Sequence, residues 1–130
     1  MAANKQPIFA LLPVVGMVKI STANANRDGT GTLGTVLTGA TGSGTKVTSI
    51  TIKAEASTTA GMIRLYINNT STTHLIFEQT IPAITASATV AAAYYSLPFF
   101  DMVIPSGYIL YASTEKAESF SIIAFGGKYE

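Results

Sequence analysis

The chain contains no cysteine and no tryptophan, and its single histidine is His74. Without thiols there is no disulfide and no thiolate metal site, so packing or assembly must hold the fold, and the redox compartment is not encoded. Zinc is not expected, nor is any other metal or cofactor. Charge is scarce as well: eight Lys and Arg stand against seven Asp and Glu in 130 residues, a charged share of 12% and a net charge of +1. That balance supplies no basic stripe for phosphate contacts, which argues against nucleic acid as a direct ligand. A surface so poor in charge either exposes Ser, Thr and Gly or is covered by partners, and both are expected here.

Long apolar runs are missing too. The opening stretch "MAANKQPIFALLPVVGMVKIS" is apolar, but Pro7 and Pro13 interrupt it, Gly16 weakens it and Lys19 closes it. A secretion leader wants an unbroken helical core and a membrane span wants about 20 apolar residues, so neither is expected, and no membrane partner follows. Residues 1–20 read instead as an extended N-terminal arm or edge strand, packing on its own core or docking on another subunit. Residues 21–130 read as a single β-sandwich domain, within the size range of one core.

What is present is period-two alternation. In "KVTSITIKA" Ile50, Ile52 and Ala54 share a face, and in "GMIRLYIN" Ile63, Leu65 and Ile67 oppose Arg64 and Tyr66. "THLIFEQT" sets Leu75 and Phe77 against Ile76 and Glu78. "GYILYAS" gathers Tyr108, Leu110 and Ala112, and "SFSIIAF" gathers Phe120, Ile122 and Ala124. Turn-rich runs separate them: "NRDGTG", "TGATGSGT", "INNTST", "IPSG" and "STEKAES". These half-buried strands, with no helical crossovers, predict an all-β, antiparallel two-sheet sandwich, with a jelly roll as one form of it. In "ITASATVAAAYYSLPFFDM" the alanines favour helix, but Thr85, Thr89, Val90 and Pro98 oppose one, so a strand with a bulge or bend is expected.

No catalytic constellation emerges. "GTGTLG" at Gly29 to Gly34 matches the spacing of a dinucleotide fingerprint, but it lacks the preceding buried strand and the following helix. "GATGSGTK" at Gly39 to Lys46 approaches a phosphate loop with Thr45 and Lys46 in the wrong order. His74 follows a turn and reads as a strand-edge residue; any hydroxyl beside it is chance in a chain this rich in Ser and Thr. The carboxylates are scattered singly, and a glycosidase pair would need Glu55 and Glu78 to meet across strands. Asp28 reads as a turn residue, because a calcium loop wants further carboxylates nearby. The chain therefore reads as no enzyme. Six tyrosines could make a sugar-stacking platform, although Tyr at strand positions more often serves contacts between subunits.

The runs "TSITIKAEASTTAGMIRLYINN", "LIFEQTIPAITASATVAAAY" and "LPFFDMVIPSGYILYASTEKAESFSIIAFGG" span much of the chain from Thr48 to Gly127. They resemble small proteins encoded among the virion structural genes of tailed bacteriophages. The resemblance implies a virion part assembled in the host bacterial cytoplasm: a capsid decoration (cement) subunit, or a head, neck or tail accessory. It carries no functional residue. The expected partners are the major capsid protein or other virion proteins, together with further copies of the chain, a trimer suiting three-fold capsid positions. A carbohydrate-binding adhesin module is the alternative. The residues expected at interfaces are Pro7, Ile8, Phe9, Leu11, Leu12, Pro13, Tyr94 and Tyr95. The loop stretches Asn24 to Thr45 and Asn68 to Thr73 are expected to be adaptable contact surfaces.

Overall fold

A computed structural model describes residues 12–98 and 100–129. Among them the regular structure is all strand: β1 (Leu12–Ile20), β2 (Gly34–Thr38), β3 (Thr45–Ala54), β4 (Gly61–Asn68), β5 (Thr73–Ile81), β6 (Tyr94–Leu97), β7 (Met102–Ile104), β8 (Ile109–Thr114) and β9 (Phe120–Lys128). They form two antiparallel sheets packed as a sandwich. One is five-stranded, in the order β1-β9-β3-β6 with β7 also on β3; the other runs β2-β8-β4-β5.

The pairings are nested. β1 pairs with β9, β2 with β8, β3 with β6 and β7, and β4 with β5. The chain is thus one long antiparallel ribbon closed by the β4–β5 hairpin. Winding that ribbon adds the pairs β3–β9 and β4–β8, so both sheets are completed by strands far apart in sequence. β6 and β7 are two pieces of one edge. Between them, Pro98 lacks an N–H for the ladder and Asp101 takes a positive φ of 45°, which breaks the pairing.

The alternation read from the sequence places the core. Ile50, Ile52 and Ala54 of β3, Ile63 and Leu65 of β4, Leu110 and Ala112 of β8, and Phe120, Ile122 and Ala124 of β9 are all buried between the sheets. Burying an aliphatic side chain of this size contributes roughly 1.5–3 kcal/mol relative to exposure. Strict alternation fails where bulges intervene. Thr48 is an extra residue between Val47, opposite Gly126, and Ser49, opposite Phe125, so Val47 and Ile50 both reach the core from odd and even positions. Val36 does the same on β2, leaving Val36 and Leu37 both buried, and Ile76 is the extra residue on β5. A bulge inserts one unpaired residue and resets the face.

The alanine-rich segment corrects an expectation. Residues 82–93 form a connection rather than a strand, and strand begins only at Tyr94. Ser87 and Val90 exchange backbone hydrogen bonds around a tight turn, and the Ser87 hydroxyl accepts from the Thr89 and Val90 amides. Local side-chain bonding of this kind competes with a strand ladder. Only Ala93 is buried there among the alanines.

Turns follow their chemistry. In "IPSGY" Tyr108 N donates to Pro105 O and Gly107 sits at φ 81°, the type II arrangement that requires glycine at its third position. The β4–β5 turn is unusual in placing the β-branched Thr70 at φ 80°. Asn68 Oδ1 accepts from the Thr70 amide, and Asn69 Oδ1 accepts from the Ser71 and Thr72 amides, holding the turn against the strain.

Two predictions test these assignments. Ile52→Ala is expected to cost about 2–5 kcal/mol in urea unfolding, and Thr51→Ala, one residue away on the outer face, to stay within about 0.5 kcal/mol. Equal effects would contradict the register of β3. Thr70→Asn is expected to stabilise by about 0.5–1 kcal/mol, because Asn tolerates the left-handed region where a β-branched residue does not. A lower denaturation midpoint for that variant would show that the Thr70 side chain makes a needed contact.

Candidate interaction surface

The residues that could do chemistry are dispersed, and the carboxylates among them are engaged with neighbours. His74 is exposed on β5, at the free edge of its sheet. Glu55 lies at the end of β3 and Glu78 on β5, in different sheets and with different partners. Asp28 accepts from the Thr30 hydroxyl and amide, in that order of effect, and both hold its carboxyl below the ordinary value. The "GTGTLG" stretch is a loop with positive φ at Gly29 and Gly31, and it leads into β2 rather than a helix. In "GATGSGTK" the Thr45 hydroxyl is turned inward to accept from the Ala40 amide, and Lys46 is paired with Asp101 at 3.1 Å. Among the described residues no group of His, Asp and Glu is arranged to hold a metal. No helix among them is long and apolar enough to cross a membrane.

The two outer faces of the sandwich differ in kind. On the four-stranded sheet, Arg64 and Tyr66 point away from the core yet are buried, Arg64 with 4% of its side chain exposed. Their cover is the chain's own loop of residues 21–33. The Asn24 amide donates to Thr114 O, alongside β8, and Tyr66 Oη donates to Asn26 O at 2.8 Å. Asn24 Nδ2 donates to Thr30 O and Thr32 O, and its Oδ1 accepts from the Asn26 amide, so this one side chain shapes the loop. Glu78 then ties loop to sheet: its Oε2 lies 3.0 Å from Arg64 Nε and 3.4 Å from Arg27 Nε. Glu115 adds a looser contact with Arg64 at 3.8 Å. Residues 24–33, the first part of the Asn24 to Thr45 stretch expected to be adaptable, are instead fastened to the sheet; the repeated Gly, Thr and Asn that read as low complexity serve this tight path. Gly31, at φ 83°, would bring a Cβ onto the Asn24 amide.

The outer face of the five-stranded sheet has no such cover among the described residues. Val15 and Met17 on β1 lie opposite Phe125 and Ile123 on β9 and point to the same side, and Ser49 and Thr51 of β3 continue the row. Met17 is 64% exposed, Val15 51%, Leu12 43% and Phe125 40%. An open groove of about 450 Å³ runs past Leu12, Pro13, Lys46, Thr48 and Phe125, and a smaller one of about 190 Å³ runs beside Met17 and Ile123. Tyr94 of β6 and Val103 of β7 expose apolar surface on the far side of β3. Of the seven most exposed large apolar residues described, only Val90 is not on a strand of this sheet.

Two of the lysines on this face are matched by carboxylates. Glu55 Oε1 lies 3.1 Å from Lys19 Nζ and accepts from the Ser121 hydroxyl, which ties β1, β3 and β9 together. Lys19 and then Ser121 hold the Glu55 carboxyl below its ordinary value. The sign follows: this tie is intact above the unfolded carboxyl's titration range and is lost as pH falls through the lowered value. Asp101, first by hydrogen bond and then by charge, raises Lys46. Lys53 Nζ donates to Ala92 O.

Of the residues expected at interfaces, Pro7, Ile8, Phe9 and Leu11 lie outside the described residues. Leu12 and Pro13 border the larger groove, and Tyr94 is exposed on the same sheet. Tyr95 points the other way and packs against the core, so the pair is divided between two faces by the alternation of β6. Val15 and Met17 lie within the stretch 1–20 read as an arm or edge strand without being singled out, and Ile123 and Phe125 were not singled out either. Their signal was present: "VVGMVKI" and "SIIAF" are apolar at both parities, which a strand with one wet face has no reason to be. No protein-family model matches the chain, and a search of curated proteins returns no match.

Glu78→Ala is expected to lower stability by about 1–3 kcal/mol, since it leaves the buried Arg64 guanidinium without its nearest carboxylate. Amide exchange at residues 24–31 should rise with it. Arg27→Ala, at the exposed end of the same cluster, is expected to change stability by less than about 1 kcal/mol. Unchanged exchange in Glu78→Ala would mean that the loop is held by its own hydrogen bonds alone.

Proposed function

We propose that the protein is a non-enzymatic structural subunit of a bacteriophage virion, a capsid decoration or auxiliary protein that stabilises the particle through protein–protein contacts. The observation that carries this reading is the uncovered apolar face of the five-stranded sheet, beside a set of carboxylates each already bound to a neighbour. An exposed, contiguous apolar patch whose bordering carboxylates Glu55 and Asp101 are paired is suited to adhesion. The resemblance of the Thr48 to Gly127 segment to virion proteins supplies the setting, and the major capsid protein is the partner that this setting implies. The nested ribbon fits a jelly roll, in which paired strands wind together and adjacent strands in sequence pass between sheets.

Sugar stacking is less well supported. Tyr66 is fully buried, Tyr95 packs on the core, Tyr108 packs partly against it, and Tyr94 is the tyrosine that stands clearly exposed, so the six do not converge on one platform. The test is co-sedimentation of the purified protein with empty phage heads and, in parallel, with isolated tails. Saturable attachment to heads is the expected result. Attachment to tails alone would move the subunit to a neck or tail position, and attachment to neither would defeat the virion reading.

A further inference from the structure

We infer that the partner seated on the Val15, Met17, Ile123 and Phe125 face is a second copy of this chain, related by a two-fold axis that passes through the patch. The inference rests on reading this face as the adhesive surface, and adds to it the identity of its first occupant.

Three features favour a second copy. The first is charge. The ionised groups bordering the patch are satisfied within the molecule: Lys19 with Glu55, Lys46 with Asp101, and Lys53 on the Ala92 carbonyl. The Glu55 and Asp101 carboxylates are thus matched, and Lys53, bound to a neutral carbonyl, keeps the one charge among these groups without a counter-ion. Such a nearly neutral border offers little to a strongly charged partner, whereas an apolar face of the same kind loses little on contact, and the nearest such face is the same one on another molecule.

The second is shape and distribution. The patch lies on a sheet face whose β1 and β9 side chains stand in two facing rows, with Val15 opposite Phe125 and Met17 opposite Ile123. Sheet faces stack on one another about 10 Å apart, so two such faces can interleave their rows. A closed ring of three or more copies needs two different complementary patches on each molecule, but an isologous pair needs one. Apart from Val90, the strongly exposed apolar residues described are gathered on this one sheet.

The third is area. The exposed side chains of Val15, Met17 and Phe125 amount to on the order of 300 Å² of apolar surface, the scale of a functional patch on a monomer. A specific interface takes about 800 Å² from each partner. The remainder is available in the flanking Ser49, Thr51, Tyr94 and Val103 positions of the same face. Polar residues around an apolar centre are the usual anatomy of an interface.

The absence of cysteine makes the test clean, because any thiol introduced is the sole one. Sedimentation velocity at tens of micromolar should give a dimer for the native chain. Met17→Lys and Phe125→Lys should each give a monomer with an unchanged circular dichroism spectrum, and Val90→Lys, an exposed apolar site elsewhere, should remain dimeric. Met17→Cys should join into a covalent dimer with a short bis-maleimide, with no higher species, and Val90→Cys should not. A native chain that stays monomeric, a dimer that survives both lysine substitutions, or linkage at Val90→Cys but not Met17→Cys would each overturn the proposal. Head co-sedimentation separates the two readings. If heads take up a monomeric native chain through this face, the virion role stands and the second copy is overturned. If the native chain dimerises through the face and ignores heads, the second copy stands and the virion role falls.

Discussion

The structure depends on β9 being paired along both edges. From Phe120 to Lys128 this strand bonds to β1 on one side and β3 on the other, and its inward residues Phe120, Ile122 and Ala124 fill the middle of the core. Without it β1 has no partner in its own sheet, and β3 keeps only the short β6 and β7 pieces. Close packing is enforced at the same place: a Cβ on Gly126 would collide with the Lys46 carbonyl oxygen, so glycine there lets two strand backbones approach across the Thr48 bulge. The bulge and the glycine are one device. It bends β3 where the strand changes partners from β7 to β6.

Much of the fold was legible because burial here follows the pleat. Ile50, Ile52, Ile63, Leu65, Phe120 and Ile122 lie where alternation put them, since a strand with one wet face can bury only every second residue. Bulges were not legible: a single unpaired residue such as Thr48 or Val36 leaves no mark in composition, yet it inverts the parity of everything before it. Nor was the cover over Arg64 and Tyr66 legible. Those residues alternate as solvent-facing positions should, and it takes long-range contacts such as Tyr66 to Asn26 and Arg27 to Glu78 to show that the first loop lies on top of them. The exposed apolar face was half legible. Tyr94 and the Leu12–Pro13 edge were expected at interfaces, Met17 lay unsingled within the stretch 1–20 read as an arm or edge strand, and Phe125 was not named.

The two outer faces share a logic. On the four-stranded sheet the chain covers itself, and does so with polar groups: Arg27, Arg64 and Glu78 in a line, Asn24 folding the loop. On the five-stranded sheet Lys19 and Lys46 are matched by carboxylates at the margins, and the centre is left to Val, Met, Ile and Phe. A chain with so few charges has little else to keep such a face solvated.

The nesting of the ribbon also bears on when this protein comes into being during synthesis. β1 and β3 are made long before β9, and the innermost hairpin, β4 with β5, is the pair that can form between near neighbours. Pairing between strands distant in sequence is slow to form because loop closure must precede any gain. A growing chain therefore carries unpaired strand edges until β9 has emerged, and the outer face that joins Val15 and Met17 to Ile123 and Phe125 does not exist before that moment. That outer face and the completed fold appear together, so a half-made chain does not yet present it.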